Sequence, residues 1–349
     1  MIERSLVDAG ARMRRQGEPY VVATVVRARR PGARLLLSHF RWLAGGVSGG
    51  AFDGELATSA WMHTKDAGPV VLTYDAGHPD IGDDADLRAA FGLSENDTVD
   101  VMIERAGHPG RLDVLEIASR CARLQQRATV ATVIRSDVAS VRVGWRVALC
   151  AGALAQDGPF DAELREAIIA ELHHTSGTTT RTFGAIDVLF ETIAPPPRLF
   201  VFGTGHDLVP LAQLAKQAGW DVLICAETPR YSTRERFVMA DDVMVGTPAD
   251  LAPMIDEADR AVCVVATHDG ARDRAWIAAL RGTKARGIGV IGRPIVDDGR
   301  VQELVGDTAL DRAFHAISLL HCASPARLAA VERPVPSRPS AMFAAVAAL

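Results

Sequence analysis

The stretch RLFVFGTGHDLVPLAQLAKQAGWDVLICAE, residues 198–227, runs from a buried apolar strand through Gly203-Thr204-Gly205 into an amphipathic helix, and on into a second apolar strand ending at Glu227. Strand, glycine-bearing turn, helix and strand in that order form the first β-α-β unit of a doubly wound sheet. Gly203 lets the chain turn sharply off its strand. Gly205, which has no Cβ, lets the backbone approach a pyrophosphate at the positive end of the helix. Gly203, Gly205 and the adjoining His206 are therefore candidates for holding a dinucleotide. Glu227, 24 residues after Gly203, stands near the place from which an acid holds a ribose 2′-hydroxyl. Leu208 occupies the position of the third glycine of the usual fingerprint, so the surrounding pattern has to support the reading.

Downstream the alternation continues, with a strand expected at 242–246, a helix at 249–257, a strand at 260–268, a helix at 270–281 and a strand at 287–292. Such alternation implies an α/β fold with a parallel, Rossmann-like sheet covered by helices on both faces. Thr267-His268-Asp269 ends one of these strands, which places polar side chains at the carboxyl edge where open α/β sheets bind ligands. His268 is a candidate acid or base, and Asp269 is a candidate beside it. Asp269 or Asp273 could instead cap the next helix, the commoner use of an acid at such a place. Arg230, Arg234 and Arg236 follow the second strand, where one of them could neutralise a 2′-phosphate and favour NADP over NAD.

Pro195-Pro196-Pro197 is a stiff linker between a first domain, 1–194, and a second, 198–332, with a tail at 333–349. In the first domain VATVVR at 22–27 recurs as VATVIR at 130–135, and FDGEL at 52–56 recurs as FDAEL at 160–164, both at a spacing of 108 residues. Two short words recurring in register point to two related α/β lobes, about 20–105 and 128–192. Each lobe would hold a strand, a hairpin-like stretch, a glycine-bearing turn and an acidic helix start. The turn AGGVSGG, 44–50, offers backbone amides and the Ser48 hydroxyl for an anion, so Ser48, Gly49 and Gly50 are candidate phosphate ligands. Arg30, just after the first strand, is a candidate clamp for phosphate or carboxylate.

A length of 349 residues favours two domains, and 48% apolar residues supply a core for both. The formal net charge of −5 and three scattered lysines argue against nucleic acid as a partner. No apolar run approaches the ~20 residues of a membrane helix. The five cysteines, Cys121, Cys150, Cys225, Cys263 and Cys322, are widely spaced in apolar contexts and read as reduced core thiols of a cytoplasmic protein. No metal site is expected. His173-His174 point to different faces of a helix, and HPDIGDDAD at 78–86 lacks a zinc or calcium spacing.

Taken together, these residues resemble the XdhC/CoxI family, accessory proteins for maturing xanthine dehydrogenase and related molybdenum hydroxylases. The first domain carries the resemblance in ATVVRARRPGARLLL (23–37), GGVSGGAFDGEL (45–56), VLTYDAG (71–77) and FGLSENDTVDVMIE (91–104). The second carries it in PPPRLFVFGTGHDLVPLAQLA (195–215), ERFVMADDVMVG (235–246), ATHDGARD (266–273) and GIGVIG (287–292). The resemblance implies a protein that binds molybdenum cofactor, shields it and passes it to an apo-hydroxylase, often with a cysteine desulfurase as partner. A homodimer is the expected assembly. Several positions depart from the family pattern. Ala51 stands where a cysteine is usual, and Gly92-Leu93-Ser94-Glu95-Asn96-Asp97 replaces a second cysteine-bearing motif. Ala226 stands where an aspartate usually ends the second strand, and Arg293-Pro294 follows the last glycine in place of Ser-Arg-Arg. A maturation chaperone holding molybdenum cofactor through its phosphate and pterin is the leading expectation. An NAD(P)-dependent oxidoreductase built on the same scaffold, with His268 as its acid or base, is the alternative.

Overall fold

The computed structural model describes residues 2–29, 31–39, 41–48, 51–65, 68–75, 98–107, 110–230, 234–256, 260–292, 301–304 and 316. The chain divides into two compact units, Met1–Pro195 and Pro196–Leu349.

In the first unit, helix α1 (Arg4–Gln16) leads into strands β1 (Tyr20–Arg27), β2 (Arg34–Ser38) and β3 (Arg41–Gly46). Helix α2 (Ala51–His63) and strands β4 (Val70–Asp75) and β5 (Thr98–Ala106) follow. The succession then repeats as α3 (Val114–Leu124), β6 (Ala128–Ser136), β7 (Arg146–Cys150), β8 (Ala153–Gln156), α4 (Ala162–His174), β9 (Thr178–Phe183) and β10 (Ile186–Ile193). The strands form two five-stranded sheets ordered β3-β2-β1-β5-β4 and β8-β7-β6-β10-β9, so the two orders match element for element. VATVVR lies in β1 and VATVIR in β6. The lobes also begin earlier than the repeated words. Helix α1 buries Leu6, Ala9, Gly10 and Met13, and α3 buries Val114, Ile117, Ala118 and Cys121, the same helical spacing on one face. Both helices end in a left-handed residue, Gly17 (φ 66°) and Gln125 (φ 51°).

Both faces of β1 are covered, which is why it reads as an unbroken apolar run. Val21, Ala23 and Val25 pack with Phe52, Leu56 and Ala60 of α2, while Tyr20 and Val22 pack with Leu6, Ala9 and Met13 of α1. In the second lobe, Ala131 and Val133 pack with Leu164, Ile168 and Leu172 of α4, and Ala128 and Val130 pack with the buried face of α3.

The lobes meet through matching residues. A small cluster joins Val26 and Met102 of the first lobe to Ile134 and Leu189 of the second. Arg34 Nη2 lies 2.7 Å from both Glu191 carboxylate oxygens, and Arg146 donates to Glu104 at 2.9 and 2.5 Å. Arg34 pairs with Thr24 across β1 as Arg146 pairs with Thr132 across β6. Glu104 faces Val22 as Glu191 faces Val130. Each lobe thus gives its arginine to the other's glutamate, the reciprocity of a twofold contact. All four side chains are buried, at 2–9% exposure. Asp187 extends the pattern outward. Burial alone would raise its carboxyl, but hydrogen bonds from Thr182 and Arg27 and the Arg135 charge outweigh burial and hold it below the usual carboxylate range.

The second unit holds β11 (Arg198–Phe202), α5 (Leu208–Gln217), β12 (Asp221–Ala226), β13 (Asp242–Val245), α6 (Pro248–Leu251), α7 (Pro253–Asp256), β14 (Ala261–Val265), α8 (Gly270–Arg281), β15 (Gly287–Val290) and β16 (Val301–Glu303). The single helix expected at 249–257 is two short ones, because Pro253 has no N–H to continue the ladder. The three-residue β16 is too short to show a period in the sequence. All pairings are parallel, in the order β13-β12-β11-β14-β15-β16. One face packs α5 against Leu199, Val201, Val222 and Val264. The other packs α8 against Phe200, Phe202, Cys263 and Val265. Strand order reverses between β11 and β14, so the turns leaving those two strands flank the crevice where such sheets bind ligands.

Candidate functional site

Gly203 leaves β11 with φ 147°, and its N–H donates to Cys225 O at 3.0 Å. A Cβ there would lie 2.2 Å from Ala266 O, so glycine is required by the close passage of the chain just beyond β14. Gly205 differs. Its Cβ would meet Asp207 Oδ1 at 2.2 Å and His268 Nε2 at 2.8 Å, both ends of side chains.

Those two groups are partners, with His268 Nε2 and Asp207 Oδ1 3.1 Å apart. His268 follows β14 in the left-handed region at φ 59°, with more than half its side chain exposed. The acid beside the ring is therefore Asp207, 61 positions away in the chain. Asp269 caps α8 instead, accepting from Ala271 N at 2.9 Å and Arg272 N at 3.3 Å, and these backbone donors hold its carboxyl below the usual range. Asp273 is buried and accepts from Thr267 N and Oγ1 at 3.0 and 2.6 Å, which fixes the strand end that presents His268.

Glu227, one residue past β12, accepts from Trp276 Nε1 at 3.0 Å, and its second oxygen lies 3.6 Å from Arg272 Nε. The buried indole of α8 orients this carboxylate at the sheet edge. Of the arginines that follow β12, Arg236 reaches the glycine turn, donating to Thr204 O at 2.9 Å. Arg234 donates to Asp241 O at 2.7 Å. Arg230 and His206 are exposed. The structure thus brings Gly203, Gly205, Asp207, Arg236 and His268 around one turn. Asp207 had no signal in the sequence beyond its place just before a helix.

The first unit corrects one expectation. The amides of AGGVSGG are not all open to an anion, because Val47 N and Ser48 N donate to Asp53 Oδ1 at 3.0 and 3.1 Å. Asp53 is fully buried in the first turn of α2 and takes the anion's place from within the chain. Arg30, Gly49, Gly50, residues 92–97 and the loop 78–86 lie outside the described residues. A cavity of about 190 Å³ adjoins the Arg146–Glu104 pair and is also lined by Arg105, Arg111 and Asp113. Its charged walls are already engaged: Arg105 lies over the Trp61 ring and Arg111 donates to Gly144 O.

The four described cysteines are buried thiols. Burial and the neighbouring Cys150 push Cys121 up to about 12, and burial likewise raises Cys225. Among the described residues no three His, Cys, Asp or Glu side chains are grouped to hold a metal ion, and no helix is long and apolar enough to cross a membrane.

Comparison with known proteins gives the same two-part picture. Residues 13–75 match the model of the XdhC and CoxI family, and residues 199–323 match that of the XdhC Rossmann domain. A Bacillus subtilis (strain 168) protein named as a probable subunit of xanthine dehydrogenase is 26% identical over 288 residues, 79% of this chain and 80% of that protein. A crystal structure described as that of a xanthine dehydrogenase from Bacillus halodurans superposes with a TM-score of 0.67 at 17% identity, covering 97% of this chain and 99% of that one, a likeness of fold. With a separate family model matched in each unit and a relative aligned along most of its length, the chain belongs to the XdhC/CoxI family.

Proposed function

We propose that this chain is an accessory protein of a xanthine-dehydrogenase-type enzyme and that it holds molybdenum cofactor, or a related nucleotide, at the turn Gly203–Gly205. The observation that carries the reading is the position of that turn. It leaves β11 at the point where strand order reverses, opposite His268 at the end of β14, with Glu227 beyond the end of β12. The name of the Bacillus subtilis relative supports the choice of enzyme partner.

The residues fit such a ligand in part. Glu227, oriented by Trp276, keeps acceptor capacity for a ribose hydroxyl, and Arg236 brings a cation to the turn. The described thiols are buried, and burial raises Cys121 and Cys225, so the cofactor would be gripped by its ribose, phosphate or pterin and not by a thiolate from the described cysteines. Bound, the group would bring the molybdenum that the partner enzyme uses, while this chain supplies binding and shielding. Sulfur transfer from a cysteine desulfurase would then pass to the cofactor without one of these thiols as carrier.

One observation favours a second reading. The Asp207–His268 pair at 3.1 Å is an acid–base arrangement at the edge of a nucleotide-type sheet, as an NAD(P)-dependent oxidoreductase would need. Reconstitution separates the two. Apo-hydroxylase incubated with molybdenum cofactor should gain activity faster when this chain is present, and the chain should co-elute with the enzyme. No association and no gain would overturn the accessory reading. NAD(P)H turnover by the chain alone, lost in His268→Ala, would put the oxidoreductase in its place.

A further inference from the structure

The proposed use of the Gly203–Gly205 turn for a diphosphate-bearing ligand, on which this inference rests, leaves open which ligands the turn admits. In a dinucleotide site the missing side chain of the second glycine leaves room for phosphate oxygens. Here the atoms nearest that room are Asp207 Oδ1 and His268 Nε2, at 2.2 and 2.8 Å from where a Gly205 Cβ would stand. Asp207 sits at the N-terminal boundary of α5 but makes no side-chain capping bond to the helix amides, and its oxygen turns to His268 instead. The carboxylate complements the positive end of α5 as an incoming phosphate would. His268 is held against it by a left-handed backbone at φ 59°. Arg236, donating to Thr204 O, is the cation the structure places at the turn.

We propose that Asp207 is the specificity-determining residue of this turn. It occupies the anion position beside Gly205, so a diphosphate binds only by displacing it, whereas a ligand presenting N–H or O–H donors there meets an acceptor already in place. The first unit offers a parallel, since Asp53 takes the amides of the other glycine-rich turn. In this unit, however, the carboxylate is a quarter exposed and its partner is an exposed imidazole, so it can be displaced.

The test is calorimetric titration of the full chain with ADP and with adenosine, comparing wild type with Asp207→Asn and Asp207→Ala. Asp207→Asn keeps the shape and a hydrogen bond to His268 while removing the charge, and Asp207→Ala guards against a new contact made by the amide. ADP should bind about tenfold tighter to both variants, and adenosine should be unchanged. Adenosine binding in all three proteins with ADP affinity unchanged or weakened in the variants would overturn this inference and leave the nucleotide reading standing. Binding of neither compound to any of the three would overturn both.

Discussion

A Cβ on Gly203 would press on Ala266 O, a backbone atom fixed by the sheet, whereas a Cβ on Gly205 would press on the movable ends of Asp207 and His268. The same residue type therefore answers two different demands within one short turn. Gly203 also holds φ 147°, a region that L side chains rarely adopt. Gly203→Ala is expected to destabilise the chain by about 2 kcal/mol or more, and Gly205→Ala by less than about 1 kcal/mol. Chemical denaturation of the two variants checks this, and equal losses would contradict it. The glycines were legible in the sequence because they stand between an apolar strand and a helix, although Ala266 and His268, which press on them, come from the far end of β14. The partner of His268 was not. Asp269 is its neighbour in the chain and the natural candidate, but an aspartate directly before a helix is drawn to the first free amides, and the acid that reaches the ring comes from the other side of the crevice.

At the scale of elements, the repeated words at a spacing of 108 residues disclosed two lobes, and the two sheets have the same strand order. The helices that begin each lobe escaped that comparison. Leu6, Ala9, Gly10 and Met13 correspond in burial to Val114, Ile117, Ala118 and Cys121, but no residue is shared. A helix face is specified by apolar spacing, which tolerates substitution, whereas a strand buried on both faces keeps its wording more closely. The exchanged arginine–glutamate pairs were illegible for a different reason, since Arg34 and Glu191 lie 157 positions apart and nothing local marks them as partners. Removing one member of such a pair strands a buried charge. Arg146→Met and Arg34→Met are each expected to cost about 3–5 kcal/mol, while the double change Arg146→Met with Glu104→Leu should be nearly neutral. Thermal and chemical unfolding of these variants checks the claim, which a double change as damaging as the single one would contradict.

At the scale of the whole molecule, fold class was readable because a strand–glycine–helix–strand unit and its alternating continuation leave few arrangements open, while the family was readable through the resemblance of motifs in both domains. Ligand chemistry was much less so. The sequence offered two glycine-rich turns as anion cradles, and in the folded chain a carboxylate faces each of them, Asp53 in the first unit and Asp207 in the second. Asp53 is fully buried, whereas Asp207 is a quarter exposed, so under the proposed function it is at the second turn that an internal carboxylate could replace a departing phosphate. The most direct measurement is mass spectrometry of the small molecules released from the full chain purified from cells that make molybdenum cofactor. The proposed function expects molybdopterin or its nucleotide form at a substantial fraction of the protein, falling in Glu227→Ala and Arg236→Ala. Release of NAD(P) alone, or of no nucleotide or pterin at all, would contradict it.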